Sequence, residues 1–210
     1  MIRDGFNIAR FQQSRKNARR DDLKKQAGLT SEHFILGNMG GLWENQDQAS
    51  LLKAFRKLAR KAPNMVLVLV GDGPVKPELE KLIKEFNLEE RVKFVPQQEQ
   101  SDPWMELFHV FILSANVENY SHYISEAMAS AKPVIATKIG SQAELLNDDI
   151  GFLVPCAFPE RIESAVMRLY ANQALIKKMG DKAREHLTDK LSMDRMAVEY
   201  AALYRRMLNK

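Results

Sequence analysis

Met65-Val66-Leu67-Val68-Leu69-Val70 is apolar at every position and stops abruptly at Gly71-Asp72-Gly73-Pro74. A strand with one face in water alternates apolar and polar side chains. A run without a polar position has to be covered on both faces, which is the condition of a central strand in a parallel sheet. The rest of the chain supplies both neighbours and covers. Short apolar runs at Phe34–Met39, Val92–Val95, Val110–Leu113, Val134–Thr137 and Phe152–Val154 read as further strands. Between them, apolar residues recur at helical spacing: Leu51, Leu52, Phe55, Leu58 and Ala59, then Leu79, Leu82, Ile83 and Phe86. Trp104–Phe108, Ser121–Ser130 and Ser141–Leu146 read as short helices.

This βαβα order predicts an α/β fold, a Rossmann-like, doubly wound parallel sheet of about six strands with helices on both faces. The chain ends in three helical stretches, Pro159–Tyr170, Leu175–Leu187 and Met193–Leu208, with Ser192 placed to cap the last. The first thirty residues are polar, basic and poor in apolar side chains; they read as a lead-in with one helix, Arg20–Ala27, outside the sheet.

Composition narrows the functional classes. At 45% hydrophobic and 28% charged residues, 210 residues can bury a core without staples. The single cysteine, Cys156, excludes a disulfide within the chain. The longest apolar runs fall far short of the roughly 18 residues of a membrane span, and the N-terminus has no signal-peptide core. The net charge is +4, and basic residues cluster at Arg15, Lys16, Arg19, Arg20, Lys24 and Lys25 and at Arg56, Lys57, Arg60 and Lys61. Solvated helix faces account for such clusters, with attraction to an anionic membrane surface as the alternative. Without interleaved aromatics they do not indicate nucleic acid.

Ligands of open α/β sheets bind at the carboxyl ends of strands. Two carboxylates, Glu118 and Glu126, stand eight positions apart, one after the Val110–Leu113 strand and one inside the following helix. Both are placed to face one crevice, although surface glutamates are common. Tyr120, Ser121 and His122 stand at the start of that helix, where backbone N–H groups suit a phosphate; ordinary capping by Ser121 is the other reading. Gly71-Asp72-Gly73-Pro74 is either a tight turn or a loop lining the crevice. In Gly37-Asn38-Met39-Gly40-Gly41, adjacent glycines allow close approach of a ligand or of another chain segment. Neither GxGxxG nor a phosphate-loop lysine motif is present. No histidine–carboxylate spacing suggests a metal, and no GxSxG supports hydrolase chemistry.

Taken together and in order, these segments resemble the C-terminal, donor-binding domain of family 4 retaining glycosyltransferases ("glycosyl transferases group 1"), which have the two-domain GT-B fold. Asp4-Gly5-Phe6-Asn7-Ile8-Ala9-Arg10-Phe11 resembles the family's interdomain link, and Leu23–Leu29 its following helix. Gln46-Asp47-Gln48 through Phe55, the Gly71–Pro74 turn, the Glu118/Glu126 pair, Gly151–Pro155 and Leu191-Ser192-Met193 through Tyr204 match further motifs.

The resemblance implies a nucleotide-diphosphate sugar as donor, UDP- or GDP-linked, and no cofactor or divalent metal. Glu118 would sit at the donor sugar and anomeric centre as the catalytic residue, with Asn119 beside it. Glu126 would accept from the ribose hydroxyls. The N–H groups of Tyr120, Ser121 and His122 would hold the diphosphate. Val95, Pro96 and Gln97 would flank the base, and Gly40, Gly41, Gln46, Gly71 and Gly73 would complete the donor site. The chain departs from the pattern in its cations. Where the family places an arginine after the glycine this chain has Gly41, and where it places a lysine this chain has Gln46. Asn119 replaces a glycine, and His109 the aspartate that opens a strand. Lys132 and Lys138 could supply the charge instead.

The expected activity is retaining transfer of a hexose to a glycan or lipid-linked acceptor in cell-envelope polysaccharide synthesis. The alternative is a non-catalytic nucleotide-sugar-binding or scaffold domain with a degenerate phosphate site. An epimerase or phosphorylase on the same fold lacks its signatures here. The expected organisation is a link and lead-in helix over 1–30, a nucleotide-sugar-binding domain over 31–190, and a C-terminal helix over 191–210 that returns toward an N-terminal domain. As a fragment, the chain is expected to be inactive alone. A cytoplasmic location is expected, with peripheral contact at the inner face of the membrane.

Overall fold

The computed structural model describes residues 5–9, 11, 20–96, 103–117 and 122–208. Asp4, Arg10, Arg15, Lys16, Arg19, Gln97, Glu118, Asn119, Tyr120 and Ser121 therefore lie outside the described residues.

Helix α1 (Arg20–Gln26) leads into β1 (Phe34–Met39), a 3-10 turn at Glu44–Gln46, α2 (Gln48–Lys61), β2 (Met65–Val70), α3 (Lys76–Glu85) and β3 (Val92–Val95). A second 3-10 turn at Pro103–Glu106 precedes β4 (Val110–Leu113), α4 (His122–Ala129), β5 (Val134–Thr137), α5 (Gly140–Leu145) and β6 (Gly151–Val154). Three helices close the chain, α6 (Pro159–Tyr170), α7 (Gln173–Lys190) and α8 (Met193–Leu208). The strands form one six-stranded sheet in the order β3-β2-β1-β4-β5-β6, and every pair is parallel.

The unbroken apolar run of β2 has the expected cause. Met65, Leu67 and Leu69 enter one core with Leu51, Leu52, Phe55 and Leu58 of α2, Leu79 and Ile83 of α3, and Ile162, Val166 and Leu169 of α6. Val66, Val68 and Val70 enter the opposite core with Leu23 of α1, Ile124 and Met128 of α4, and Ala183 and Leu187 of α7. Successive side chains of a strand point to opposite faces, so every residue of β2 is buried.

The lead-in has few apolar residues, but the described ones are used. Phe11, Leu23, Ala27 and Leu29 are buried in the main core, and Phe6 and Ile8 pack against it. Phe6 also bridges to Ser192, so the lead-in is joined to the start of α8 without entering the sheet. Ser192 Oγ accepts from Arg195 N at 3.4 Å, the cap anticipated for that helix.

At the amino edge, His109 ties the start of β4 to β1. Its Nδ1 accepts from Ile35 N at 3.0 Å, while its own backbone N–H donates to Ile35 O at 2.8 Å. Burial, aided by the charges of Lys132 and Lys24, lowers its pKa from 6.5 to about 4, so the ring stays neutral. An unfolded histidine titrates near 6.5, so between 6.5 and about 4 the unfolded chain binds the extra proton and stability falls as pH falls. At about pH 5, urea unfolding should show a loss of about 2 kcal/mol relative to pH 7.5 from this residue. His109→Asn keeps an acceptor that does not titrate, and the same comparison should show that portion of the pH dependence removed.

Gly71 fixes the turn after β2. Its φ is +142°, and a β-carbon there would overlap Gly40 O. Gly71→Ala combines backbone strain with a clash against main chain and should cost at least about 3 kcal/mol in the same urea assay.

Candidate active site

The strand order reverses between β1 and β4, since β1 is followed on one side by β2 and on the other by β4. Such a switch point leaves a crevice beyond the carboxyl ends of the two strands. The β1–β4 ladder registers only Leu36 with Val110 and Gly37 with Phe111. Next along, the buried Asn38 side chain donates from Nδ2 to Ile112 O at 2.9 Å. Beyond the strands, the two exit segments are tied together. Ser114 Oγ donates to Gln46 O at 2.8 Å, and Asn116 N to Asn45 O at 2.9 Å. Thr137 at the end of β5 braces the same segment by donating to Ala115 O. The result is a cleft of 460 Å³ lined by Trp43, Glu44, Asn45, Asn116 and Val117.

The sequence-derived residues fall around this edge. Gly40 N donates to Val70 O, Gly71 N to Val95 O, and Leu42 N to Asp72 O. A β-carbon on Gly73 would meet Leu42 O. The Gly71–Pro74 segment is therefore a turn packed against the β1 exit, and its glycines serve chain-to-chain contact. Val95 is buried and Pro96 exposed at the end of β3. His122 is the exposed first residue of α4, and Glu126, half-buried, lies one turn further along the helix. Glu118, Asn119, Tyr120 and Ser121 are outside the described residues.

Gln46, where a lysine would stand, is buried, with its carbonyl held by Ser114. Gly41 has the Trp43 indole over it: a β-carbon would fall within contact of Nε1 and Cδ1. Its carbonyl accepts from Nε2 of the buried Gln48 at 3.1 Å. Trp43 was not singled out from the sequence, and Gln48 stood there only as a member of the Gln46–Phe55 motif. Only the side-chain-free Gly41 two positions before a tryptophan hints at their arrangement.

The described part of this edge offers few side-chain cations. Among the described residues of the segments leaving β1, β2, β3 and β4 (40–47, 71–76, 96 and 114–117), the acids are Glu44, Asp47 and Asp72 and the one cation is Lys76, whose Nζ lies 3.9 Å from Asp72 Oδ1. Lys132 is on the opposite edge, where its Nζ donates to Glu106 O at 3.0 Å. Lys138 directly follows β5 at the carboxyl edge and is exposed. Among the described residues, no cluster of three His, Cys, Asp or Glu could hold a metal ion. No described helix is long and apolar enough to cross a membrane.

The sequence pattern of the family "Glycosyl transferases group 1" matches residues 19–186. The chain belongs to this family. Its sheet and helices are the Rossmann-like, C-terminal-type half of a GT-B glycosyltransferase. Curated group 1 relatives include N-acetyl-alpha-D-glucosaminyl L-malate synthase of Bacillus anthracis, 25% identical over 87% of this chain and 48% of its own length. Lipopolysaccharide core biosynthesis glycosyltransferase LpsD of Rhizobium meliloti (strain 1021) is 26% identical over 99% of this chain and 59% of its own length. Anabaena HepE, solved in complex with UDP, superposes with a TM-score of 0.85 at 23% identity, covering 98% of this chain and 57% of HepE. The chain thus spans about half the length of these relatives.

Proposed function

We propose that this chain is the donor-binding half of a retaining glycosyltransferase that uses a nucleotide-diphosphate sugar and transfers a hexose to a glycan or lipid-linked acceptor of the cell envelope. The observation that carries this reading is the convergence of the β1 exit, the β4 exit and the Glu126-bearing α4 at the switch point of a group 1 sheet. In this reading Glu126 accepts from the ribose hydroxyls and Glu118 faces the donor sugar. Backbone N–H groups of residues 120–122 hold the diphosphate, and Val95, Pro96 and Gln97 flank the base. The complex of HepE with UDP supports a nucleotide ligand by analogy.

The acceptor would be held by a second domain. Helix α8 supports such an arrangement: none of its residues is buried, and Val198, Leu203, Tyr204, Met207 and Leu208 are exposed. Apolar surface of this kind favours a covering partner. The proposed division is a link over 1–30, a donor-binding domain over 31–190 and a returning helix over 191–210. The working enzyme acts at the cytoplasmic side, with peripheral membrane contact. Robust transferase turnover by the 210 residues alone would overturn the two-domain requirement.

A second reading has its own support. With Gly41 and Gln46 in place of cations, the domain would be a non-catalytic scaffold whose degenerate phosphate site no longer holds a nucleotide diphosphate. Developing charge on a leaving diphosphate needs stabilisation that one oriented donor supplies at about 3–4 kcal/mol. Calorimetric titration with UDP, GDP and ADP separates the readings. Binding of one diphosphate, weakened about tenfold by Glu126→Ala, is the expected result; binding of none favours the scaffold. Restoring cations by Gly41→Arg and Gln46→Lys, with Trp43→Ala to clear the space, should tighten the same diphosphate at least about tenfold. An unchanged affinity would place the diphosphate elsewhere.

A further inference from the structure

We propose that Trp43 is a sugar-stacking platform, and that the cleft between the β1 and β4 exits binds the apolar face of a neutral pyranose. The proposal rests on the reading of this edge as a sugar-transfer site and adds the ring, its residue and its ligand class.

Trp43 is 56% exposed, whereas the other tryptophan, Trp104, is fully buried. An indole left in water contributes little to folding by burial, so its position is not explained by the core. It is nonetheless fixed from below. Gly41 has no side chain, and the Nε1–Cδ1 edge of the indole occupies the space where one would begin. Gly41 does not have a positive φ, so the backbone does not itself require glycine there. The requirement comes from the indole. Gln48 anchors the Gly41 carbonyl, and Asn116 and Ser114 tie the segment to β4.

The surroundings match a neutral polyol better than a phosphate. Trp43 and Val117, 52% exposed, give apolar surface, Asn45 and Asn116 give amides, and Glu44 gives a carboxylate acceptor. An aromatic face carries negative charge density and attracts the polarised C–H groups of a pyranose. The same face, with Glu44 beside it, repels an anion. A cleft with an apolar platform and a few orienting polar groups is the ordinary composition of a small-ligand site.

The two tryptophans make the test direct. Trp104 is shielded, so a ligand-dependent change in tryptophan emission reports Trp43. The 210-residue protein is titrated with UDP, UDP-glucose and methyl α-D-glucopyranoside while emission is followed. Expected is a change with at least one sugar-bearing probe beyond any change with UDP, abolished in Trp43→Ala and retained in part in Trp43→Phe by calorimetry. A response to UDP-glucose alone assigns the platform to the donor sugar, and a response to the free glycoside assigns it to the acceptor side. Gly41→Ala, which displaces the indole without straining the backbone, should weaken the responding probe about tenfold with unchanged urea unfolding. Emission unmoved by either sugar-bearing probe, or moved equally in Trp43→Ala, overturns the proposal. UDP binding with no sugar response removes the platform and leaves the nucleotide reading standing. A glycoside response without UDP binding does the reverse.

Discussion

A parallel sheet covered on both faces confines chemistry to its edges. The central strands of this domain spend their apolar side chains on one of two cores, as β2 does with leucines and methionine on one side and valines on the other. The faces of the four central strands β2, β1, β4 and β5 are fully buried and leave nothing free to touch a ligand. The loops at the carboxyl ends carry that task, and their geometry depends on the contacts that hold them together. Ser114 to Gln46 and Asn116 to Asn45 join the exits of β1 and β4, where the reversal of strand order would otherwise leave them independent. The cleft at Trp43 is a consequence of those bonds.

The strands and most helices were legible because their signals are local. An unbroken apolar run, a glycine-rich stop and a 3.6-residue stripe can each be read without knowing what lies opposite. The lead-in was less legible. Its apolar residues are too few to form a stripe, yet Phe11, Leu23, Ala27 and Leu29 are each buried; a residue's burial depends on its neighbours in space, which a sparse pattern does not encode. The glycines after β2 were readable as a turn. That Gly71 approaches Gly40 and Gly73 approaches Leu42 required the fold.

The candidate site divides in the same way. The place of Glu126 followed from strand and helix order, and the structure puts it on the helix that leaves the β4 exit. The roles of Gly41 and Gln46 did not follow. From sequence they are absences, an arginine and a lysine that are not there. In the fold, Gly41 is the bed of an indole and Gln46 is a buried member of the loop staple. Lys132 also changed standing, because two positions before β5 it lies at the amino edge, where its Nζ donates to Glu106 O.

Those substitutions bear on one another. Loss of a cation from an exposed loop, taken alone, leaves a solvated gap and costs the fold little. Here the space is filled by an aromatic ring that needs the glycine beneath it, and the buried Gln48 holds that glycine's carbonyl. A ring half in water gains little stability from this arrangement. Its rigidity and its amide neighbours are useful to a ligand that presents both C–H and O–H groups. The described β1 exit also carries Glu44 and Asp47 and no cation, in a chain whose net charge is +4. Charge and shape at the β1 exit therefore change together. If a diphosphate binds here, backbone N–H groups and the partial positive charge of a helix terminus have to do most of the holding, and the side chains of the cleft are left to the sugar.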